Sequence, residues 1–164
     1  MPSHSSLAVR HTHLFCALLC IFVVAFDQAT KWSVLSFLSK SEAVPVSPSL
    51  NLVLTFNYGT SFGLLAPHTE WQRCLLIGLT IGAIVFLTYA FARFRSITEK
   101  VLCSLVLGGA IGNLIDRFCH GAVVDFIDVY YRGWHWPAFN FADACISCSI
   151  IGLLSYNLFS KTCR

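Results

Sequence analysis

Along the chain, apolar residues gather into four long segments with few polar interruptions: Leu14 to Phe26, Cys74 to Ala92, Val101 to Ile115 and Ala142 to Phe159. Apolar runs approaching twenty residues predict helices that enter a bilayer. The third block is short, since Val101 to Ile115 rises only about 22 Å as helix against a hydrocarbon core of about 30 Å. Either the bilayer thins there, or Asp116 and Arg117 sit below the headgroups. Between the first two blocks the pattern changes. In "LNLVLTFN", Leu50, Leu52, Leu54 and Phe56 alternate with Asn51, Val53, Thr55 and Asn57, the period of a half-buried strand. Gly59 and Gly63 permit tight backbone turns in the "NYGTSFG" that follows. Thr69 and Gln72 have capping-box spacing ahead of the second block.

These elements predict an all-α polytopic membrane protein with four transmembrane helices and a small extracytoplasmic β-sheet. It reads as a single membrane domain over 1–164, with spans at approximately 12–28, 73–92, 100–116 and 141–160. Segments 29–72 and 117–140 are then extracytoplasmic, and residues 1–9 form a disordered tail. The first block, preceded by Arg10, resembles a secretory signal, but Asp27-Gln-Ala-Thr-Lys31 follows where small residues and a cleavage site belong. It reads as a retained helix.

Composition agrees, with 56% hydrophobic and 12% charged residues and a mean hydropathy of +0.70, far from a soluble globule. Basic residues are densest in the N-terminal tail (Arg10), the middle connection (Arg93, Arg95, Lys100) and the C-terminal tail (Lys161, Arg164). That density places both termini in the cytoplasm. It also accounts for the net charge of +3 without a nucleic-acid partner. The eight cysteines lie mostly in apolar runs, where a free thiol is a small hydrophobe. Cys145 and Cys148 form a C-x-x-C inside a predicted helix, without a thioredoxin-like setting. His135 alone is poor support for zinc, so no metal and no cofactor are expected.

The informative positions are the polar exceptions. Asp125, Asp128 and Asp143 fall within a short stretch between apolar blocks. Asn140 and Asp143 have N-cap to N3 spacing after Pro137, so a capping asparagine and an acid at the positive end of the helix dipole would explain them. Asp125, a second acid outside the end of an apolar block, opens another reading. Polar groups held at membrane depth are costly and usually functional, and two carboxylates sharing a proton can hydrolyse a bond without metal or covalent intermediate. In such a pair the helix dipole favours charge on Asp143, leaving the proton with Asp125. Gly108 and Gly112 form a small-xxx-small face for helix packing. Asn113, Asp116 and Arg117 share one face a turn later, where a salt bridge capping the helix end would suffice.

The stretches "DQATK" from Asp27, "FNYGTSFGLL" from Phe56, "GGAIGNLIDR" from Gly108, "VVDFIDV" from Val123 and "PAFNFADACI" from Pro137, taken in order, resemble the lipoprotein signal peptidases, the signal peptidase II family of bacterial membranes. The resemblance covers nearly the whole chain. It implies an intramembrane aspartyl endopeptidase of the bacterial inner membrane, with its active site near the outer face. Such an enzyme removes the signal peptide from diacylglyceryl-modified prolipoproteins by cutting before the lipidated cysteine. It further implies that Asp125 and Asp143 are the catalytic pair and that Asn57, Gly109, Asn113, Arg117 and Asn140 line the site and hold the substrate backbone. Asp27, Lys31 and Asp116 fall in motifs too and read as structural. Thr60 and Ser61 depart mildly from the family pattern. The partners implied are prolipoproteins and membrane lipids, and Tyr130, Tyr131, Trp134 and Trp136 would cover the site or anchor at the interface. Rival readings are a proton-coupled small membrane transporter, motivated by membrane acids, and a quinone-linked thiol oxidoreductase, motivated by the cysteines.

Overall fold

The structure, a computed structural model, describes residues 4–40, 42–59 and 70–162. Four helices are long and apolar enough to cross a membrane: α1 (His4–Phe37), α2 (Glu70–Arg93), α3 (Ile97–Cys119) and α4 (Phe141–Thr162). Strands β1 (Ala43–Ser47), β2 (Leu50–Asn57), β3 (Val123–Tyr131) and β4 (Trp134–His135) form an antiparallel sheet in sequential order. The alternating segment is β2, as its pattern requires. Thr60, Ser61, Gly63 and Thr69, and with them the proposed capping box before α2, lie outside the described residues.

α3 is the axis of the bundle, packed against α1, α2 and α4, and carries the largest set of buried helical positions. Its glycines make this possible. A Cβ on Gly108 would meet Val23 Cβ of α1 at 2.7 Å, and one on Gly109 would meet Ala142 O of α4 at 2.7 Å. Backbone-close crossings of this kind stand in for the hydrophobic drive that lipid does not supply. The outward faces are apolar, with Leu18, Phe22, Val85, Phe86, Ile151 and Leu158 all exposed, as a lipid-facing surface requires.

The third helix is longer than its apolar block. Ser96 caps it, accepting from Thr98 N while Glu99 reaches back to Ser96 N; this capping box starts the helix before Lys100. The helix then runs through Asn113, Asp116 and Arg117 to Cys119, about 35 Å at 1.5 Å per residue. The helix is thus longer than the apolar block and carries Asn113, Asp116 and Arg117 on its last two turns. α1 likewise continues past Asp27 and Lys31 to Phe37.

β3 is the element the residue pattern does not announce. It lies between β2 and β4, packs on α1 and α3, and is buried at Val123, Val124, Asp125, Phe126 and Asp128. A strand covered on both faces shows no alternation. After β4 the chain returns to β3: Phe126 N and Ile127 N donate to Phe139 O, and Phe139 N donates to Ile127 O. The start of α4 is thereby tied to the middle of β3.

Candidate active site

α4 begins at a reciprocal cap. Asp143 N donates to Asn140 Oδ1 at 2.9 Å, and Asn140 N donates to Asp143 Oδ2 at 3.3 Å. The local explanation of this pair is therefore correct, and it is incomplete. Asn140 is fully buried, and its Nδ2 donates to Asp125 Oδ1 at 2.7 Å and to Asn113 Oδ1 at 3.2 Å. Asn113 Nδ2 in turn donates to Asp143 Oδ1 at 2.8 Å. Two asparagine amides thus link the two carboxylates in one chain, Asp125 to Asn140 to Asn113 to Asp143.

Asp125 is 2% exposed on β3. Asn57 Oδ1 accepts from Gly59 N at 2.9 Å, where Gly59 takes a φ of 85°; this turn leaves the Asn57 amide nitrogen for Asp125, to which it hydrogen-bonds. Burial is the main force on the Asp125 carboxyl, and the neighbouring charge of Asp143 adds to it. Together they outweigh the hydrogen bonds of Asn57 and Asn140 and the attraction of Lys31, and push Asp125 up to about 7.

Beside this pair lies a buried ion cluster. Lys31 Nζ sits 2.7 Å from both Asp27 Oδ2 and Asp116 Oδ2 and donates to Asn113 Oδ1 at 2.9 Å. Asp116 is therefore engaged across the bundle by α1, and the expected Asp116–Arg117 salt bridge at the end of α3 is not made. Adjacent residues on a helix are turned by about 100° from one another, and Asp116 is the one turned toward α1, where Lys31 and Gln28 engage it. Arg117 Nη1 instead reaches Asn113 O at 3.4 Å, and its charge acts on Asp143, Asp116 and Asp125. Gly109 sits where α3 and α4 cross, one turn before Asn113, and its missing side chain lets α4 approach. Gln28 was not among the sequence candidates, yet its Nε2 donates to Asp116 Oδ1 at 2.9 Å and Gly112 O at 3.2 Å. Its only sequence cue is its place inside "DQATK".

Asp128 stands apart. Three residues along a strand, it points away from Asp125, accepting from Asn51 Nδ2 at 2.9 Å and pairing with His135 Nδ1 at 2.8 Å. Burial pushes its carboxyl up, but the bonds with His135 and Asn51 prevail and hold it below the usual range. Around it Tyr130 stacks on His135 and Trp134 packs edge-on to Trp136, with both tryptophans more than half exposed. Cys145 and Cys148 are free thiols on α4.

A groove of about 480 Å³ runs between α2, α3 and α4, walled by Leu79, Phe86, Val106 and Ile150 and reaching Asn113 and Arg117. An apolar channel in the lipid-facing surface therefore leads up to the polar chain that joins the two carboxylates.

The chain matches the family model for signal peptidase (SPase) II over residues 19–159. It is 44% identical over 138 residues to a lipoprotein signal peptidase of Polynucleobacter necessarius subsp. necessarius (strain STIR1), covering 81% of this chain and 83% of that protein. A lipoprotein signal peptidase of Serratia marcescens is 43% identical over 139 residues, covering 85% and 82%. Among solved structures, a bacterial membrane enzyme determined by the in meso method at 2.3 Å resolution superposes with a TM-score of 0.81 at 31% identity, over 92% of this chain and 91% of that one. These relatives support neither the transporter nor the thiol oxidoreductase reading. Matched by the family model across most of its length and by relatives over a like share, the chain belongs to the signal peptidase II family, and it is a multi-pass peptidase of the bacterial inner membrane.

Proposed function

We propose that this chain is an aspartyl endopeptidase that removes the signal peptide from diacylglyceryl-modified prolipoproteins, cutting before the lipidated cysteine, with Asp125 and Asp143 as the catalytic pair. The observation that carries this reading is the amide-linked pair of carboxylates at the end of an apolar groove. Family membership supplies the substrate class, since the relatives are named lipoprotein signal peptidases.

The chemistry follows from the environment of each acid. Asp125, raised to about 7 chiefly by burial, holds the shared proton and donates it to the scissile carbonyl oxygen. Asp143, supplied with hydrogen bonds by Asn113 Nδ2 and Asn140 N, takes a proton from the attacking water. Water adds to the carbonyl carbon and the tetrahedral diol forms; the proton now on Asp143 then passes to the amide nitrogen as the C–N bond breaks, while one diol hydroxyl returns its proton to Asp125, leaving a carboxylic acid, an amine and the singly protonated pair. Asn57, Asn113, Asn140 and Arg117 orient the carboxylates and hold the substrate backbone. The groove takes the apolar signal helix, and the lipid-facing helices admit the diacylglycerol chains. The carboxylates lie at the end of α3 opposite Arg93, Arg95 and Lys100, which supports cytoplasmic termini and a site near the outer face.

The test is co-expression of a diacylated prolipoprotein with each variant, followed by mobility shift. Asp125→Asn and Asp143→Asn are each expected to abolish processing while leaving abundance near that of the parent. Asp128→Asn, whose carboxylate serves His135 and Asn51 on the other face of the strand, is expected to process substrate at a reduced but readily measured rate. Equal loss in all three variants, or full processing by either of the first two, contradicts the assignment.

A further inference from the structure

The cluster Asp27–Lys31–Asp116 reads from the sequence as structural, and its contacts are more specific than that. Lys31 is 2% exposed, Asp27 0% and Asp116 2%. A cluster serving only to neutralise its own charges has no need of particular partners beyond them. Here each carboxylate has an oxygen bonded to a backbone amide next to a catalytic position. Asp27 Oδ1 accepts from Ala142 N at 3.0 Å, and Ala142 precedes Asp143. Asp116 Oδ2 accepts from Val124 N at 3.1 Å, and Val124 precedes Asp125. Lys31 joins the two carboxylates at 2.7 Å each. Its third N–H goes to Asn113 Oδ1 at 2.9 Å, which leaves the Asn113 amide nitrogen facing Asp143.

The geometry leaves little slack. An ammonium has three donors and no acceptor, and all three are engaged, on α1 and α3. Gly112 gives the cluster its room: a Cβ there would lie 2.5 Å from Asp27 Oδ2. From Lys31 one path runs through Asp27 to the backbone of α4, a second through Asp116 to the backbone of β3, and a third through Asn113 to the carboxylate of Asp143. The segment leading into α4 also meets β3 through Phe139 with Ile127 and through Asn140 with Asp125 and Val124, so the cluster adds a further, independent tie that runs through α1 and α3.

Resting on the aspartyl reading above, we propose that Lys31, with Asp27 and Asp116, is a positioning unit that sets the separation and mutual orientation of Asp125 and Asp143 and fixes the amide of Asn113 toward Asp143. None of the three touches a reacting atom in this scheme. They act by holding the acids in the arrangement in which one proton can be shared and passed, and small misplacements of reacting groups are expensive, on the order of 100-fold for about 1 Å.

The experiment uses the full-length protein in detergent micelles with a diacylglyceryl-modified peptide spanning a cleavage site, and measures initial rates against substrate concentration and pH. Lys31→Met is expected to lower kcat by about 10- to 100-fold with KM within about twofold. Its basic limb is expected to move upward, because Lys31 is one of the charges acting on Asp125. The others are Asp143 from α4 and Arg117 from α3, with the neutral Asn57 and Asn140 hydrogen-bonded to it. Gln28→Met keeps all three charges of the cluster and removes the amide donor to Asp116 Oδ1, Gly112 O and Asp27 Oδ2; a severalfold fall in kcat with an unmoved limb is expected. A folded Lys31→Met protein with parental kcat and pH profile overturns the proposal, as does a defect confined to KM or to the yield of folded protein. Should Lys31→Met fail to fold, Gln28→Met decides, and full kcat there overturns it. Asp125→Asn is run alongside. Turnover in that variant would sink the aspartyl reading itself, whereas an inactive Asp125→Asn beside a full-rate Lys31→Met refutes the positioning role alone.

Discussion

Asp125 is held where its anion is disfavoured, by burial first and by the charge of Asp143 second. Two consequences follow. In the proposed mechanism turnover requires the pair to carry one proton, so rate is expected to fall as pH rises through the ionisation of Asp125, near 7. Arg117 stabilises the doubly charged pair, so removing its charge makes the second ionisation harder. Arg117→Gln is therefore expected to move the basic limb of the rate profile upward, read with a lipidated peptide in micelles; a downward move contradicts the electrostatics. The second consequence concerns stability. A carboxyl near 7 in the folded protein and near about 3.9 in the unfolded chain binds its proton more tightly when folded. Its contribution is thus fully present below about 4 and is lost as pH rises through about 7. Asn at this position carries no such penalty, so Asp125→Asn is expected to unfold at a higher temperature than the parent above pH 7, with the difference shrinking toward pH 5. Thermal unfolding of the two proteins across that range checks it. The sequence indicated these acids through their rarity in an apolar context; the upward direction of the Asp125 shift comes from burial and from Asp143 on α4, against the hydrogen bonds of Asn57 on β2 and Asn140 at the α4 cap.

The helices and strands were legible in proportion to how much of their signal is local. The long apolar blocks give the helices, and the sequence alternation gives β2, although the structure half-buries residues on both of its faces. β3 was silent because α1, α3 and the neighbouring strands cover it on both sides. The first span is expected to end near residue 28, where charges begin, and the helix α1 runs on to Phe37 with Lys31 paired to Asp27 and Asp116 inside the bundle. The α3–α4 crossing is the element contact on which the site most depends. A methyl at Gly109 would meet Ala142 O at 2.7 Å and Ile146 Cγ1 at 2.8 Å, and backbone cannot give way as a side chain can. Gly109→Ala is expected to cost about 1–3 kcal/mol and to lower turnover in the folded fraction, since Asp143 rides on the displaced helix. Unchanged unfolding temperature and rate would show that the crossing tolerates the methyl.

Taken as a whole, the protein gathers Asp125, Asp143 and their asparagine partners at one end of a bundle whose helices expose many apolar side chains, and the described cysteines belong to that apolar body. Cys16 and Cys103 are buried in the α1–α3 packing, while Cys74, Cys119 and Cys148 are exposed on its surface. None takes part in the proposed reaction. A variant with all eight cysteines replaced by Ala or Ser is expected to unfold more readily, through the cavities left in the core, and still to process substrate; complete loss of turnover in folded protein would reopen a thiol role. What the sequence by itself determined is whatever depends on composition and short-range order: the membrane-spanning helices, the alternating strand, the Asn140–Asp143 cap and the identity of the acids. The tertiary structure alone decided that Asp116 pairs with Lys31 rather than Arg117, that Gln28 joins the cluster, and that Asn113 and Asn140 bridge Asp125 to Asp143. Those contacts link residues far apart along the chain, and in a low-dielectric interior every buried donor and acceptor must find a partner wherever the fold brings one. The choice of partner is made by packing, which no local pattern encodes.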